Sequence, residues 1–352
     1  MKLRDYQLEC LAASEAAWQA GIRNQLAVLA TGAGKTVIAC ELMRRRPGRS
    51  IVLVDRDVLG KQWVEKAEAA MPGRHVGKVK AEANKVYADV VIASIDTLLE
   101  PGRLERLPRF KPDTPAAFNT VIPDEAQGSI AEGRMRALDY LGVNDPRGPL
   151  LFGVTATPDR LDGRGLNELY SKIVYEKNLL ELINEGWLVM PRAQRVYLNI
   201  NLDAAQTGPS GDFTDESLVE IMKAGNAPEL IAKALRLHAP NRKSLLFLPS
   251  VQLAYLTAKA CRSVGFAAEA LDGARNSTER TSVLDRFASG EIQVVSNCDL
   301  LGVGFDEPTI DCIGAFRPTM SRSLLSADRP RNAAKPAGRQ DGSACPGRRR
   351  GN

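Results

Sequence analysis

The chain has 352 residues, of which 44% are hydrophobic and 25% charged, and its length suggests about two domains of roughly 150 residues each. No run approaches the ~18 consecutive apolar residues of a membrane span. Six scattered cysteines, none paired as Cys-x-x-Cys, indicate neither a disulfide framework nor a zinc ribbon, and two histidines exclude a histidine-rich metal site. Because no apolar signal segment follows Met1, we expect a cytoplasmic protein with no membrane partner.

The net charge of +5 comes from the C-terminal end. Residues 321–352 hold eight Lys or Arg against two Asp, so residues 1–320 are nearly neutral. Residues 326–352 contain no Val, Ile, Leu, Met, Phe, Trp or Tyr, and such a segment cannot bury enough apolar surface to offset its ordering entropy. We therefore predict a disordered basic tail at 326–352, and any nucleic-acid contact must come from local patches elsewhere.

Apolar runs alternate with helix-compatible segments along the first half of the chain. The predicted strands lie at 26–29, 51–54, 90–93, 120–122 and 150–154. The predicted helices between them lie at 36–46 and 58–71. Continuous apolar strands separated by helices indicate a parallel sheet covered on both faces.

The alternation lapses over residues 159–210, apart from a helical piece at 179–185, and then restarts. The later strands are predicted at 244–248, 267–271, 292–295 and 310–313. The helices between them are predicted at 251–264 and 277–287. The sequence therefore predicts two α/β units in tandem.

Residues 30–36 read Ala-Thr-Gly-Ala-Gly-Lys-Thr and join a predicted strand to a predicted helix. Small residues there let backbone N–H groups surround a phosphate, and the helix N-terminus favours its negative charge. Lys35 is expected to reach the β- and γ-phosphates, and the Thr36 hydroxyl to bind Mg²⁺. The predicted ATP-binding residues of this loop are Thr31, Gly32, Ala33, Gly34, Lys35 and Thr36.

Two acidic residues, Asp124 and Glu125, follow the strand predicted at 120–122. A phosphate-binding loop needs an acidic partner at the tip of a neighbouring strand. Asp124 is expected to hold Mg²⁺, commonly through water, and Glu125 to orient and deprotonate the attacking water. With Lys35, these two residues form the predicted catalytic set.

These and further segments resemble the motifs of superfamily 2 DEAD/DEAH-type helicases, in order and at suitable spacing over roughly residues 1–325. The resemblance is greatest to DNA helicases related to type III restriction subunits and excision-repair helicases. The matching segments are 4–7 (Q motif), 30–36 (motif I), 54–63 (Ia), 93–98 (Ib), 124–127 (II), 155–158 (III), 246–248 (IV) and 297–308 (V).

The resemblance implies an α/β fold with two tandem RecA-like P-loop domains, at 1–205 and 206–325, each a parallel sheet flanked by helices. It implies that Gln7 reads adenine and that Gly304 and Asp306 join ATP and DNA sensing. It also assigns nucleic-acid contact or coupling between the lobes to Arg56, Thr155, Thr157 and Asn297. For Arg56, a solvated surface position is as good an interpretation as contact with a phosphate. For Trp63 and Trp187, we expect packing against helices rather than stacking on bases.

Three features depart from the helicase pattern. Pro123 occupies a strand position and removes a backbone donor, which is tolerable only at a strand end. Gln127 replaces the usual His of the DEAH box, which puts coupling to the second lobe in doubt more than Mg²⁺ binding. The arginines of motif VI, which stabilise the transition state in related hydrolases, do not appear in their usual context. With suitably chosen permitted codons for 327–335, a reading frame shifted by one base can encode Gln-Ile-Gly-Arg-Gly-Thr-Arg-Pro, which has the form of motif VI, so we hypothesise a frameshift or truncation there.

We expect an ATP-dependent DNA helicase or duplex translocase that acts in DNA repair, restriction or phage DNA metabolism. Its expected cofactors are ATP and Mg²⁺, and its expected partners are single- or double-stranded DNA and a nuclease or repair protein. Three alternatives stay open: an RNA helicase, the motor subunit of a restriction complex, and a catalytically impaired, ATP-switched nucleic-acid-binding protein.

Overall fold

The computed structural model describes residues 2–54, 57–80, 83–111, 118–156, 165–198, 200–208, 212–298, 300–301, 307 and 309–318. The helices are α1 (Asp5–Gln19), α2 (Lys35–Arg45), α3 (Asp57–Ala70), α4 (Ile95–Leu99), α5 (Glu132–Tyr140), α6 (Leu179–Asn184), α7 (Asp215–Ala224), α8 (Ala227–His238), α9 (Val251–Ser263) and α10 (Ser277–Ser289). The strands are β1 (Asn24–Leu29), β2 (Arg49–Val54), β3 (Val76–Lys80), β4 (Ala83–Asn84), β5 (Val90–Ser94), β6 (Phe118–Pro123), β7 (Leu150–Thr155), β8 (Lys172–Lys177), β9 (Ser244–Phe247), β10 (Ala268–Leu271), β11 (Val294–Asn297) and β12 (Cys312–Ala315).

Within the described residues, the first eight strands form one sheet in the order β4-β3-β5-β2-β6-β7-β1-β8. Neighbouring strands are parallel except for the short antiparallel pair of β3 and β4. The predicted parallel sheet flanked by helices is therefore confirmed. Strand β8 falls in the segment 159–210, for which no strand was predicted. It is an exposed edge strand that carries Lys172 and Glu176, so it has no continuous apolar run from which a strand could be predicted.

Both faces of the first sheet are packed, which explains its apolar strands. In β1, Ala27 and Leu29 join a core that includes side chains of α1, α2 and α3. Leu26 and Val28 point to the opposite face and join a core with α4 and α5. Because successive strand residues face opposite sides, burial of both faces accounts for the continuous apolar run at residues 26–29 of β1.

The second sheet, in the order β10-β11-β9-β12, is parallel throughout its described strands. One core packs α8 and α9 against it, and the other packs α10. Strands β11 and β12 begin two residues later than predicted. Ile292 and Ile310 bury their side chains, but their backbone N–H groups donate to Arg286 and Glu307 in local turns rather than to a strand.

Some sequence predictions concern residues outside the described ranges or go untested. The predicted disordered tail lies beyond residue 318, outside the described residues. The domain boundaries at 205 and 325 stay predictions. Within the part of the chain that the structure describes, no helix combines the length and apolarity that crossing a membrane requires.

Gly153 in β7 is tested by a small substitution. A Cβ atom there would lie 2.5 Å from the ring of Tyr170, whose hydroxyl lies 3.1 Å from that of the buried Ser129. Because the rigid ring must shift, Gly153→Ala should lower the free energy of unfolding by about 1–3 kcal/mol, as measured by urea denaturation.

The matched control for this prediction is Gly273→Ala. No atom lies within 4 Å of a Cβ at Gly273, so this change should shift stability by less than about 0.5 kcal/mol. Equal stability of the two variants would contradict the packing role of Gly153.

Candidate nucleotide-binding site

Residues 30–34 form a turn that leads directly into α2. The Ala33 N–H donates to the Ala30 carbonyl over 3.1 Å, and Gly32 (φ +84°) and Gly34 (φ +76°) have left-handed backbones. Glycine is the residue that adopts this conformation without a steric penalty. The first helical bond runs from Ile38 N–H to the Gly34 carbonyl over 3.1 Å, so the loop lies at the helix N-terminus as predicted.

The loop is hydrogen-bonded at both ends to other elements. At its start, the Ala30 N–H donates to the carbonyl of Lys177 at the end of β8 over 3.1 Å. At its end, the Ala33 carbonyl accepts from the Tyr6 hydroxyl over 2.8 Å and from Gln7 Nε2 over 3.1 Å. The structure therefore places Gln7 against the loop. Tyr6, to which the sequence assigned no role, contacts it as well.

The two predicted acidic residues lie at the end of β6. Pro123 is the last residue of that strand, which confirms that its missing donor falls at a strand end. The next residue, Asp124, donates its backbone N–H to the Leu53 carbonyl over 2.9 Å. Asp124 and Glu125 are both buried, with exposed fractions of 9% and 8%.

Burial and the neighbouring Glu125 raise the pKa of Asp124 above its ordinary value. The hydrogen bond that the Trp63 indole N–H donates to Asp124 Oδ2 over 2.8 Å, and the charge of Lys35, act in the opposite direction. Trp63 is buried in the core of the first sheet. The packing role predicted for Trp63 is confirmed, but its bond to Asp124, 61 residues away, was not foreseen.

Glu125 has a left-handed backbone with φ +52°, a conformation that costs a non-glycine residue about 1–3 kcal/mol and is concentrated at functional sites. Its carboxylate accepts a hydrogen bond from Gln127 Nε2 over 2.9 Å. The same Gln127 side chain accepts from the Thr155 hydroxyl over 2.7 Å. Gln127 therefore bridges the predicted base and the end of β7, although it replaces the usual histidine.

The strand order corrects one expectation about this site. The strand that precedes the loop, β1, and the strand that ends just before Asp124, β6, are not adjacent, because β7 lies between them. All three strands are parallel, so the loop, Thr155 and the acidic pair follow carboxyl ends at the same edge of the sheet. That edge is where ligands bind in open α/β sheets.

The remaining predicted residues fall into two groups. Asn297 is fully buried in the second sheet, where its Nδ2 donates to the Leu246 carbonyl over 3.0 Å and its Oδ1 accepts from Leu301 N–H over 3.1 Å. It therefore holds the start of the loop after β11, and its predicted coupling role stays a prediction. Arg56, Thr157, Gly304 and Asp306 lie outside the described residues.

Removing the Trp63 donor should make stability more sensitive to pH. A carboxyl whose folded pKa lies above its unfolded pKa lowers stability as pH rises between the two. Trp63→Phe should raise the pKa of Asp124 further and lower the free energy of unfolding by about 1.5–3 kcal/mol at pH 8, with a smaller loss at pH 5. Denaturant titrations at both pH values, without nucleotide or metal, measure this difference.

Trp18→Phe is the control, since the Trp18 ring faces the Arg46 guanidinium at 4.0 Å instead of a carboxylate. Its cost should be the same at both pH values. The assignment fails if Trp63→Phe is equally costly at pH 5 and pH 8.

Two family models match the sequence: "Type III restriction enzyme, res subunit" over residues 1–160 and "Helicase conserved C-terminal domain" over residues 226–335. The chain is 31% identical over 336 residues to irc3 of Schizosaccharomyces pombe, described as a mitochondrial ATP-dependent helicase. This match covers 93% of this chain and 54% of that protein. The chain spans about half the length of the curated relatives it matches.

Two solved structures share the fold. A fragment of an HsdR subunit of a type I restriction enzyme from Vibrio vulnificus YJ016 has a TM-score of 0.69 at 21% identity, covering 94% of this chain and 61% of that one. The type ISP restriction-modification enzyme LlaBIII, solved bound to DNA, has a TM-score of 0.66 at 16% identity, covering 96% and 27%. A relative from Mycobacterium tuberculosis named DNA 3'-5' helicase XPB is 21% identical over 314 residues, covering 87% of this chain and 53% of that protein. From the two family models and the helicase relatives together, the chain belongs to the superfamily 2 helicases, in the branch of the type III restriction subunits and the XPB-like helicases.

Proposed function

We propose that this chain is the ATP-hydrolysing motor of a DNA helicase or duplex translocase. The observation that carries the proposal is the placement of a glycine-rich loop and a buried Asp124–Glu125 pair at one edge of a parallel sheet. Neither feature alone is specific. Together they provide a cradle for phosphates and an acidic group beside it.

The residues present fit a nucleotide with Mg²⁺. Gly34 has a left-handed backbone (φ +76°), which glycine adopts without a steric penalty, and a Cβ atom there would also lie 2.7 Å from Gln7 Nε2. Among the described residues no cluster of three His, Cys, Asp or Glu side chains could hold a metal alone. Mg²⁺ is commonly bound by one or two protein oxygens together with substrate phosphates, which suits Asp124 and Thr36. Bound there, Mg²⁺ would neutralise phosphate charge.

The proposed roles of the side chains follow from their positions. Lys35 begins α2 beside the loop and would neutralise the terminal phosphates. Glu125 would hold the attacking water and accept its proton. Gln127 would keep the Glu125 carboxylate oriented and connect it to Thr155 at the end of β7, within the first sheet.

We propose DNA as the nucleic acid along which the motor moves, because the chain is similar to proteins that are named for DNA or for restriction. The family model that matches residues 1–160 describes a restriction subunit, and two relatives with lower identity are named DNA 3'-5' helicase XPB and DNA 3'-5' translocase XPB2. Contacts along such a track are mostly to phosphates, so binding should weaken with salt and depend little on sequence. A nuclease or repair partner and the cellular compartment stay predictions.

A second candidate is an ATP-switched DNA-binding protein with little turnover. The observation that favours it is the sequence 327–335, which lacks the usual form of motif VI. Arginines that reach the γ-phosphate are worth about 10³–10⁵ in rate in related hydrolases. In this case ATP would change DNA affinity without being consumed.

ATP hydrolysis by the full chain, with no nucleic acid and with single-stranded DNA, double-stranded DNA or RNA, separates these functions. We expect DNA to stimulate turnover and Lys35→Ala to reduce it by about 10²- to 10³-fold, because a charge-stabilising group is lost. Stimulation by RNA alone would favour the RNA helicase.

ATP binding measured by calorimetry provides the complementary result. Binding without turnover, with DNA affinity that changes when ATP is added, would favour the switch. Turnover that Lys35→Ala leaves intact, or absence of ATP binding, would contradict the proposed site.

A further inference from the structure

We propose that Tyr6 is a positioning residue that, together with Gln7, clamps the Ala33 carbonyl and presets the loop at residues 30–34 for a triphosphate. The inference rests on the proposed function, because it assigns a further residue to the same site. It concerns the phosphates rather than the base, and it makes a prediction that does not require hydrolysis.

The Tyr6 hydroxyl lies between two partners that fix its direction. The side chain is 2% exposed. Its hydroxyl donates to the Ala33 carbonyl over 2.8 Å and accepts from Arg4 Nη1 over 3.0 Å. Because Arg4 supplies only protons, the hydroxyl proton must point to Ala33. Burial also raises the pKa of Tyr6, so the hydroxyl keeps this proton at neutral pH.

A second donor meets the same carbonyl. Gln7 Nε2 donates to Ala33 over 3.1 Å, while Gln7 Oε1 accepts from the Arg4 backbone N–H over 3.0 Å. Both ends of the Gln7 amide are therefore engaged by the loop and by the first turn of α1. In this arrangement Gln7 acts on a bound nucleotide through the loop.

Fixing the Ala33 carbonyl also fixes the next N–H group. The peptide group is planar, and in its trans form the carbonyl and the N–H point in opposite directions. A carbonyl held toward α1 therefore turns the Gly34 N–H away from α1. In a loop of this kind, such N–H groups bind phosphate oxygens.

The clamp is useful because this loop has little stiffness of its own. Gly32 and Gly34 both have left-handed backbones, and glycine loses more conformational freedom on ordering than any other residue. A loop that is already ordered binds more tightly, since less entropy is lost on binding. Trp187 supports the clamp from the side. Its ring lies edge-on to the Tyr6 ring with the two centroids 5.8 Å apart, and the Arg4 guanidinium lies 5.3 Å from the centroid of the Trp187 ring.

The test compares Tyr6→Phe with wild type in the full chain, with Mg²⁺, using two probes: ATP and inorganic tripolyphosphate, which has no base. Loss of one neutral hydrogen bond should raise the Kd of both probes by the same factor, roughly two- to twelvefold. Adding Gln7→Ala should give less than the product of the two single effects, because both donors act on one carbonyl.

The matched control is Tyr175→Phe, which removes a hydroxyl that donates to Glu9 Oε2 over 2.7 Å. This control should leave both Kd values unchanged, and the melting temperatures report whether either variant is merely less stable. The inference is overturned if Tyr6→Phe leaves tripolyphosphate binding unchanged, whether or not ATP binding weakens. A wild-type chain that binds neither probe instead overturns the proposed function.

Discussion

Two adjacent carboxylates, Asp124 and Glu125, are buried at the end of a central strand, and the rest of the site is arranged around that constraint. A buried carboxylate without a partner is costly, and the neighbouring Glu125 adds repulsion that raises the pKa of Asp124. The indole of Trp63 and the amide of Gln127 each donate one hydrogen bond to the pair. The pKa of Asp124 stays raised despite the Trp63 bond, which favours the proposal that a cation arriving with the nucleotide binds at this carboxylate.

The fold brings the other parts of the site to this pair without long loops. Strands β1, β7 and β6 are parallel and consecutive in the sheet, so the phosphate loop, Thr155 and the acidic pair share one edge. Packing beneath that edge is tight, since Gly153 leaves room for a ring that reaches Ser129. A substitution that displaces the Tyr170 ring should therefore also displace Ser129 and its neighbours, which follow Glu125 in the chain.

The sequence predicted features whose cause is local. Inner strands such as β1 were recognisable because burial on both faces favours a continuous apolar run, here residues 26–29, and the loop was recognisable because its glycines and Lys35 lie within the four positions 32–35. Strand β8 was missed because an edge strand is half polar. The bonds from Tyr6 to Ala33 and from Trp63 to Asp124 join residues 27 and 61 positions apart, and no local pattern reports such contacts. The replacement of the DEAH-box histidine by Gln127 is evident from the sequence. The hydrogen bonds by which Gln127 connects Glu125 to Thr155 depend on side-chain geometry, which the sequence does not report.

The central claim is that the buried acidic pair is a site for Mg²⁺ carried by a nucleotide, and thermal unfolding of Asp124→Asn tests it most directly. The account predicts that this variant unfolds at a higher temperature than wild type without ligand, because buried charge is removed. It also predicts that ATP stabilises wild type more with Mg²⁺ than with EDTA, and that the variant loses this difference. An Asp124→Asn protein that is less stable without ligand, yet keeps the full Mg²⁺-dependent gain, would contradict the account.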